Sequence, residues 1–113
     1  MKLVVLAVVA AALAAPSALA STPTLNGTVG PGFTITLKQG TNKVRKLKAG
    51  TYLFKIADTS SIHNFHLTGP GLNKSTPVGG KVSRIWKLKL KKGTYRYVCD
   101  PHAAFMKGSF TVT

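Results

Sequence analysis

Residues 82–99 read VSRIWKLKLKKGTYRYVC and contain two alternating segments joined by a turn. In the first segment the apolar residues Val82, Trp86, Leu88 and Leu90 share one parity, and lysines occupy the other. Such alternation is typical of a strand with one buried and one solvated face. Lys92-Gly93 marks a turn, after which Tyr95, Tyr97 and Cys99 again share one parity. The stretch therefore predicts two strands, the second ending at a thiol that faces the core.

The rest of the chain after residue 32 continues this pattern. Further short strands are predicted at residues 33–37, 44–47, 51–57, 62–68 and 108–113, with a long Gly/Pro/Asn loop at residues 69–80. Turn residues separate them at a spacing typical of an antiparallel sandwich or barrel. No segment after residue 20 has a helical period. We therefore expect an all-β protein, a Greek-key antiparallel β-sandwich of about seven to eight strands.

The N-terminal residues have the composition of an export signal. Lys2 precedes an apolar run at residues 3–15, and the small residues Ala18-Leu19-Ala20 follow. This pattern predicts a signal peptide at residues 1–20 and a protein exported to the periplasm, the cell envelope or the medium. An uncleaved anchor is the alternative, although the run is shorter than the roughly 20 residues that a spanning helix needs. Residues 21–32, rich in Thr, Pro, Gly and Asn, are predicted to be a mobile leader before a domain at 33–113.

The charge of the chain limits its chemistry. Sixteen Lys and Arg stand against two acids, Asp58 and Asp100, and the net charge is +14, or +13 without Lys2. Two distant carboxylates cannot supply paired acid/base catalysis, so no enzyme is expected. The charge favours acidic protein partners or an anionic envelope surface, and self-repulsion favours a monomer. Nucleic acid is disfavoured because Trp86, the one aromatic of the basic segment 81–92, has inward parity.

One eight-residue segment gathers unusual donor atoms. Cys99, the only cysteine, is followed by His102 and Met106. An unpaired cysteine in an exported domain indicates a free thiol or a metal ligand. Thiolate, imidazole and thioether together favour copper over metals that prefer oxygen. A further ligand must come from another segment, and the other histidines are His63 and His66.

These residues resemble a known family of copper proteins. The segment YRYVCDPH at residues 95–102 resembles the ligand loop of plastocyanins and amicyanins, and Ile62-His63-Asn64-Phe65 resembles their His-Asn segment. The resemblance covers residues 33–113 and implies a cupredoxin fold with one type 1 copper ion. It implies His63, Cys99 and His102 as equatorial ligands and Met106 as a weak axial ligand.

The resemblance also implies roles for neighbouring residues. Asn64 would tie its segment to the ligand loop near Asp100, and Pro101 would restrict that loop. The apolar patch through which an electron leaves would comprise Pro101, Ala103, Ala104 and Phe105. The chain departs from the family in having three residues between His102 and Met106, where plastocyanins usually have four and amicyanins two. Ile62 also stands where plastocyanins commonly have proline.

Other interpretations of the same residues remain open at this point. Cys99 could be an inert core thiol, since free cysteine is often buried. Cys99 and His102 could also form a nucleophile and its base. Met106 and Phe105 could both be core side chains. His66 could replace His63 as a ligand, but residues three apart on a strand face opposite sides, so only one can reach the site.

The sequence therefore predicts one-electron transfer through a single Cu(I)/Cu(II) site. Acidic redox proteins, such as a cytochrome or an oxidase, are the expected partners. Copper binding and delivery in the cell envelope is the alternative, although a carrier would expose several methionines and only Met106 follows the initiator. A metal-free basic adhesion module is a third possibility, which would leave the four donor residues unexplained.

Overall fold

The computed structural model describes residues 2–4 and 21–113, so the signal peptide predicted at residues 1–20 lies outside the described residues except for 2–4. Residues 21–113 form ten strands and one short turn of 3-10 helix at Asp100–His102. The strands are β1 (Thr24–Val29), β2 (Ile35–Gln39), β3 (Asn42–Lys43), β4 (Lys46–Leu47), β5 (Gly50–Asp58), β6 (His66–Gly69), β7 (Leu72–Ser75), β8 (Val82–Leu90), β9 (Gly93–Val98) and β10 (Lys107–Val112). Among the described residues, no helix is long and apolar enough to span a membrane.

The strands form two five-stranded sheets. The first sheet has the order β3-β2-β1-β5-β8 and the second has the order β4-β10-β9-β6-β7. The predicted β-sandwich is confirmed, and most neighbouring strands are antiparallel, but two pairs are parallel. β1 lies parallel to β5, and β4 lies parallel to β10. Alternation along a strand reports which face is buried and not the direction of its neighbour, and parallel neighbours require a crossover connection.

The leader predicted at residues 21–32 is corrected by the structure, because Thr24–Val29 forms β1 in the centre of the first sheet. Leu25 and Val29 are completely buried. Between them lies Gly27, where a Cβ atom would come within 2.6 Å of Ile56 Cδ1. A glycine is needed here for close packing, yet in the sequence it interrupts the apolar alternation and gives the strand the composition of a loop.

Other boundaries shift as well. β5, β8, β9 and β10 lie where the alternation predicts strands. The strand predicted at residues 62–68 begins only at His66, so His63 lies in the preceding loop. The loop predicted at residues 69–80 contains β7, which forms a hairpin with β6. The central β1 and the short edge strands β3 and β7 raise the count from the predicted seven or eight to ten.

Aromatic side chains fill the space between the sheets. Phe65 and Tyr97 stack with their ring centroids 5.6 Å apart, and Tyr95 and Phe110 stack at 5.2 Å. All four are essentially unexposed, and burial of each contributes on the order of 1.5–3 kcal/mol. These stacked and buried rings hold the two sheets together and so fix the positions of the strand ends. At one end of the sandwich, β1, β5 and β9 end where β6, β8 and β10 begin, and the loops there carry the donor residues.

Candidate metal centre

The ligand loop, defined here as residues 99–106, follows β9 and leads into β10. Its two ends are joined because the Cys99 N–H donates to the Met106 carbonyl at 3.0 Å. Inside the loop, the His102 carbonyl accepts hydrogen bonds from the N–H groups of Phe105 and Met106. Pro101 lies within the 3-10 turn, where its fixed φ suits the helical conformation and its missing N–H is not needed. Backbone hydrogen bonds therefore hold Cys99, His102 and Met106 in one compact loop.

Three donor atoms converge at this end of the sandwich. Nδ1 of His63 lies 3.1 Å from Nδ1 of His102, and each nitrogen lies 3.5 Å from Sγ of Cys99. The centre of a triangle with these sides is about 2 Å from each corner. A first-row metal such as zinc makes bonds of about 2.0–2.1 Å to imidazole and about 2.3 Å to thiolate. The triangle therefore has the size that a single metal ion requires.

The donor set selects among metals. Two imidazoles and one thiolate in a trigonal arrangement, with a thioether as a distant fourth donor, are typical of copper electron-transfer sites. Cys99 is completely buried, and Met106, from the same loop, is 1% exposed. The residues present therefore fit copper. Met106 as the axial ligand remains a prediction, since its burial is equally that of a core side chain.

His63 is oriented by a main-chain oxygen. Its Nε2 donates a hydrogen bond to the Gly32 carbonyl at 2.8 Å, so its Nδ1 carries a lone pair toward the triangle. A hydrogen bond from the second nitrogen of this kind fixes the tautomer of a metal-ligating imidazole. Gly32 follows β1 and has a φ of 72°, a conformation that glycine adopts without strain. The sequence does not predict this contact, because Gly32 ends the segment that is predicted to be a mobile leader.

His102 lies at the surface between aromatic rings. The Phe33 centroid is 5.0 Å from that of His102 and 5.4 Å from that of His63, while Phe105 is 5.7 Å from His102. Phe33 is 58% exposed and Phe105 60%, which excludes Phe105 as a core side chain. Pro101, Ala103 and Ala104 are also exposed. The edge of His102 is therefore surrounded by an apolar surface. This surface includes Phe33, which is not among the residues predicted from the sequence.

Asn64 joins the His63 segment to the ligand loop. Its Nδ2 donates to Asp100 Oδ2 at 2.7 Å, and its Oδ1 accepts from the Asp100 N–H at 2.7 Å. The two hydrogen bonds link residues 36 positions apart in the chain, and Asn64 itself is buried. They fix the distance between the segment that carries His63 and the one that carries Cys99.

His66 lies outside the triangle. Its Nδ1 donates to Asp100 Oδ1 at 2.8 Å and its Nε2 donates to Asn73 Oδ1 at 2.6 Å. These hydrogen bonds, the one to Asp100 first, raise the pKa of His66 above its usual range. Burial alone would raise the pKa of Asp100, but the hydrogen bonds from His66 and Asn64 outweigh it and the pKa is lowered. With both nitrogens donating, His66 has no lone pair to offer a metal.

The same contacts bear on a nucleophilic role for Cys99. The Asp100 carboxylate is held by Asn64 and His66 and does not orient His102. The other acid, Asp58, is buried, and its Oδ1 accepts from the Ser60 N–H at 3.0 Å. Its Oδ2 has no hydrogen-bond partner among the described residues, and burial raises the pKa of Asp58 against smaller opposing effects of Ser60 and His63. Among the described residues, no carboxylate therefore completes a Cys-His-acid arrangement.

Comparison with known proteins agrees with this donor set. The sequence profile of the copper-binding proteins of the plastocyanin/azurin family matches residues 28–113. The chain belongs to this family. The matched residues begin within β1 and include the whole ligand loop, so the cupredoxin fold and a site able to hold one copper ion follow from both sequence and structure.

Solved structures of rusticyanin share the cupredoxin fold. Reduced rusticyanin is 21% identical, with 80% of this chain and 78% of that chain covered and a TM-score of 0.60. A second structure, described as the copper protein rusticyanin, is 17% identical at a TM-score of 0.61, covering 80% and 76%. Rusticyanin from Thiobacillus ferrooxidans is 20% identical at a TM-score of 0.55, again covering 80% and 76%. A search of curated protein sequences finds no match.

Proposed function

We propose that the protein carries single electrons by means of one copper ion held by His63, Cys99 and His102, with Met106 as a weak fourth ligand. The observation that carries this proposal is the triangle of two Nδ1 atoms and one Sγ with sides of 3.1, 3.5 and 3.5 Å. Copper, when bound, supplies one-electron chemistry between two oxidation states that thiolate and imidazole both accommodate.

The ligands are held in place by contacts that do not involve a metal. The Gly32 carbonyl fixes the ring of His63, and the hydrogen bond between Cys99 N–H and the Met106 carbonyl closes the ligand loop. Asn64 fixes the two segments against each other. Ligands held by their surroundings move little when the charge at the site changes. This arrangement favours repeated electron exchange over the release of the ion.

The apolar surface around His102 supports an exit route for the electron. His102 is half-buried, and its neighbours Phe33 and Phe105 are exposed. A partner that covers these rings would exclude water from the edge of the imidazole and approach the site directly. Because the chain has a net charge of +14, we propose an acidic redox protein as this partner, such as a cytochrome or an oxidase.

Spectroscopy of the purified protein titrated with Cu(II) tests the proposal. We expect an intense visible band that saturates at one copper per chain, disappears with a mild reductant and returns with an oxidant. Cu(II) bound through oxygen and nitrogen alone would give only weak absorption, and this result would contradict the proposal. Copper that is lost on gel filtration would instead indicate a carrier.

We further propose that the protein acts outside the cytoplasm as a monomer. The export signal expected at residues 1–20 supports this location, and the charge supports the monomer. The mass of the protein recovered from an envelope or culture fraction tests both points. A chain that begins at Ser21 is the expected result, and a chain retaining residues 1–20 in the membrane fraction would indicate an anchor.

A further inference from the structure

A row of lysines crosses the outer face of the first sheet. Strand pairing places Lys43 opposite Lys38, Lys38 opposite Asn26, Asn26 opposite Lys55 and Lys55 opposite Ile85. In β1, β2, β5 and β8 these residues have the parity opposite to the buried residues of the strand, and Lys43 directly precedes the buried Val44. Neighbouring strands are about 4.8 Å apart, so the row spans roughly 19 Å across the whole sheet.

Two further lysines extend this charged area along β8. Lys87 lies opposite Leu53 and Lys89 lies opposite Thr51, again on the outer face. The basic face is defined here as Lys38, Lys43, Lys55, Lys87 and Lys89, all of which are exposed. Like charges directly opposite each other, as at Lys38 and Lys43, destabilise a sheet. The packing of the sandwich therefore gives no reason for this arrangement.

The chain offers no compensating negative charge. Its two acids are Asp58, which is buried on the core side of β5, and Asp100, which is bound to Asn64 and His66 at the metal end. Counter-charge for the basic face must come from outside the protein. Because the lysines are spread over four strands, it must come from an extended anionic surface and not from a single small ion.

The basic face also contains a concave region beside its lysines. A depression of about 310 Å³ lies over β1, β5 and β8, and its lining includes the outward-facing side chains of Thr28, Lys55 and Ser83. Hydroxyl and cationic donors are the groups that bind a phosphate. Ile85, which also lines the depression, is 68% exposed. An exposed isoleucine among lysines suits the boundary between lipid headgroups and acyl chains, where cationic and apolar groups both find partners.

We propose that the basic face binds anionic phospholipid headgroups, with one phosphate in the depression and neighbouring headgroups on the lysine row. Charge alone fits an anionic lipid surface and an acidic protein equally, and the position of the basic face favours lipid. The redox partner must approach His102 at the end of the sandwich, whereas the lysine row crosses the middle of β1, three residues before Val29. Binding through the basic face would leave His102 and its apolar surroundings accessible. The choice of lipid over protein rests on the proposed function, whereas the binding itself does not require copper.

Vesicle binding by two charge-matched variants tests the proposal. The first variant is Lys38→Gln/Lys43→Gln/Lys55→Gln. The second is Lys46→Gln/Lys48→Gln/Arg96→Gln, which removes three exposed charges from β4, from the turn after β4 and from β9. Both lose the same net charge. Binding is measured by sedimentation with vesicles of phosphatidylglycerol and phosphatidylcholine, and with phosphatidylcholine alone.

We expect the wild type to bind only the anionic vesicles. One lysine near an anionic surface changes affinity about fivefold, so the first variant should bind about a hundredfold more weakly, and the second should lose far less. Ile85→Ser should also weaken binding, at unchanged charge. Copper-free and copper-loaded protein should bind equally, which separates this inference from the proposed function.

Several results would overturn the proposal. Equal losses in the two triple variants would mean that net charge alone attracts the protein. Displacement from vesicles by inorganic phosphate at constant ionic strength would indicate a site for a free anion. Binding to soluble polyglutamate but not to vesicles would assign the basic face to an acidic protein. Thermal unfolding of both variants establishes that they are folded.

Discussion

His63 and His66 are three residues apart, and their rings lie in opposite surroundings. His63 is 1% exposed, its Nε2 donates to a main-chain carbonyl, and its Nδ1 faces Cys99 and His102. His66 lies outside the triangle, and both of its nitrogens donate to side-chain oxygens. An imidazole that donates once keeps a lone pair for a metal, whereas one that donates twice is a cation. Hydrogen-bond partners, more than proximity, therefore decide which histidine can be a ligand.

The two acids of the chain follow the same division. Asp58 is buried on the inner side with an oxygen that lacks a partner among the described residues, and its pKa is raised by burial. Burial also acts on Asp100, but donors on the outer side outweigh it and lower the pKa. The surroundings of the buried Asp58 thus disfavour an ionised side chain. The surroundings of Asp100, where His66 and Asn64 donate hydrogen bonds, favour one. Variants of these residues test the comparison.

The largest effect is expected from removing one histidine or the other. His63→Ala should reduce copper affinity by more than the roughly 10–100-fold that loss of an outer partner costs, because it deletes a ligand atom. His66→Ala should stay within about tenfold and keep the strong visible absorption. Competition with a copper chelator measures both affinities, and Cys99→Ser, which should abolish the thiolate absorption, is the reference. Loss of that band in His66→Ala would assign the ligand role to His66.

Asn64 connects the two sides, and Asn64→Ala should be the largest of the stability effects. The substitution removes two hydrogen bonds to Asp100, both 2.7 Å long, one of them to the carboxylate. A cost of about 2–3 kcal/mol is expected in the urea-induced unfolding of the copper-free protein. Asn73→Ala, which removes only an exposed contact with His66, should cost less than about 1 kcal/mol. Equal losses of stability in Asn64→Ala and Asn73→Ala would mean that the hydrogen bonds between Asn64 and Asp100 are no stronger than the one between Asn73 and His66.

Asp58→Asn should stabilise the copper-free protein by about 1 kcal/mol at neutral pH, because it removes a buried charge whose second oxygen is unpaired. The pKa of Asp58 is higher in the folded protein than in the unfolded chain. The free energy of unfolding of the wild type therefore falls as pH rises from about 4, the unfolded pKa, through the folded pKa. The variant should lack this loss, so its advantage should grow over that range. Asp100→Asn should instead destabilise the protein at neutral pH, because the pKa of Asp100 is lowered and its ionised form stabilises the fold. Unfolding of both variants at several pH values is the measurement.

The smallest effect concerns the hydrogen bond between His66 and Asp100. The raised pKa of His66 adds stability that is complete below about pH 6.5 and lost as pH rises through the folded pKa. The lowered pKa of Asp100 adds stability above about pH 4 that is lost in acid. His66→Gln should therefore cost most between these values, by less than about 1 kcal/mol because Asp100 is 47% exposed. A cost independent of pH would show that His66 is not charged in the folded protein.

Much of the fold could be predicted where side chains alternate. β8 was predicted with its full length because Trp86 and Leu90 are separated by lysines, and β9 because Tyr95 and Tyr97 share one parity. β1 could not be predicted, because Gly27 in its middle has no side chain to show that this position is buried. β7 contains Leu72 as its only apolar residue and is held by pairing with β6, which local sequence does not report.

The candidate site divides in the same way. Cys99 and His102 could be predicted because their spacing lies within one loop, and chemical type alone identifies them as soft donors. The choice of His63 over His66 needed a resemblance, since both histidines lie in one short segment. Phe33 beside His102 could not be predicted, because it depends on how the turn after β1 folds back over the site.

The atom that orients His63 belongs to the main chain, and this affects how the site can change over time. Every residue type at position 32 carries a carbonyl, so no point substitution can delete the acceptor. An inserted or deleted residue between β1 and β2 would move it away from Nε2 at once. Gene variants that alter the length of this turn should therefore be rarer among functional descendants than variants that replace its residues other than Gly30 and Gly32.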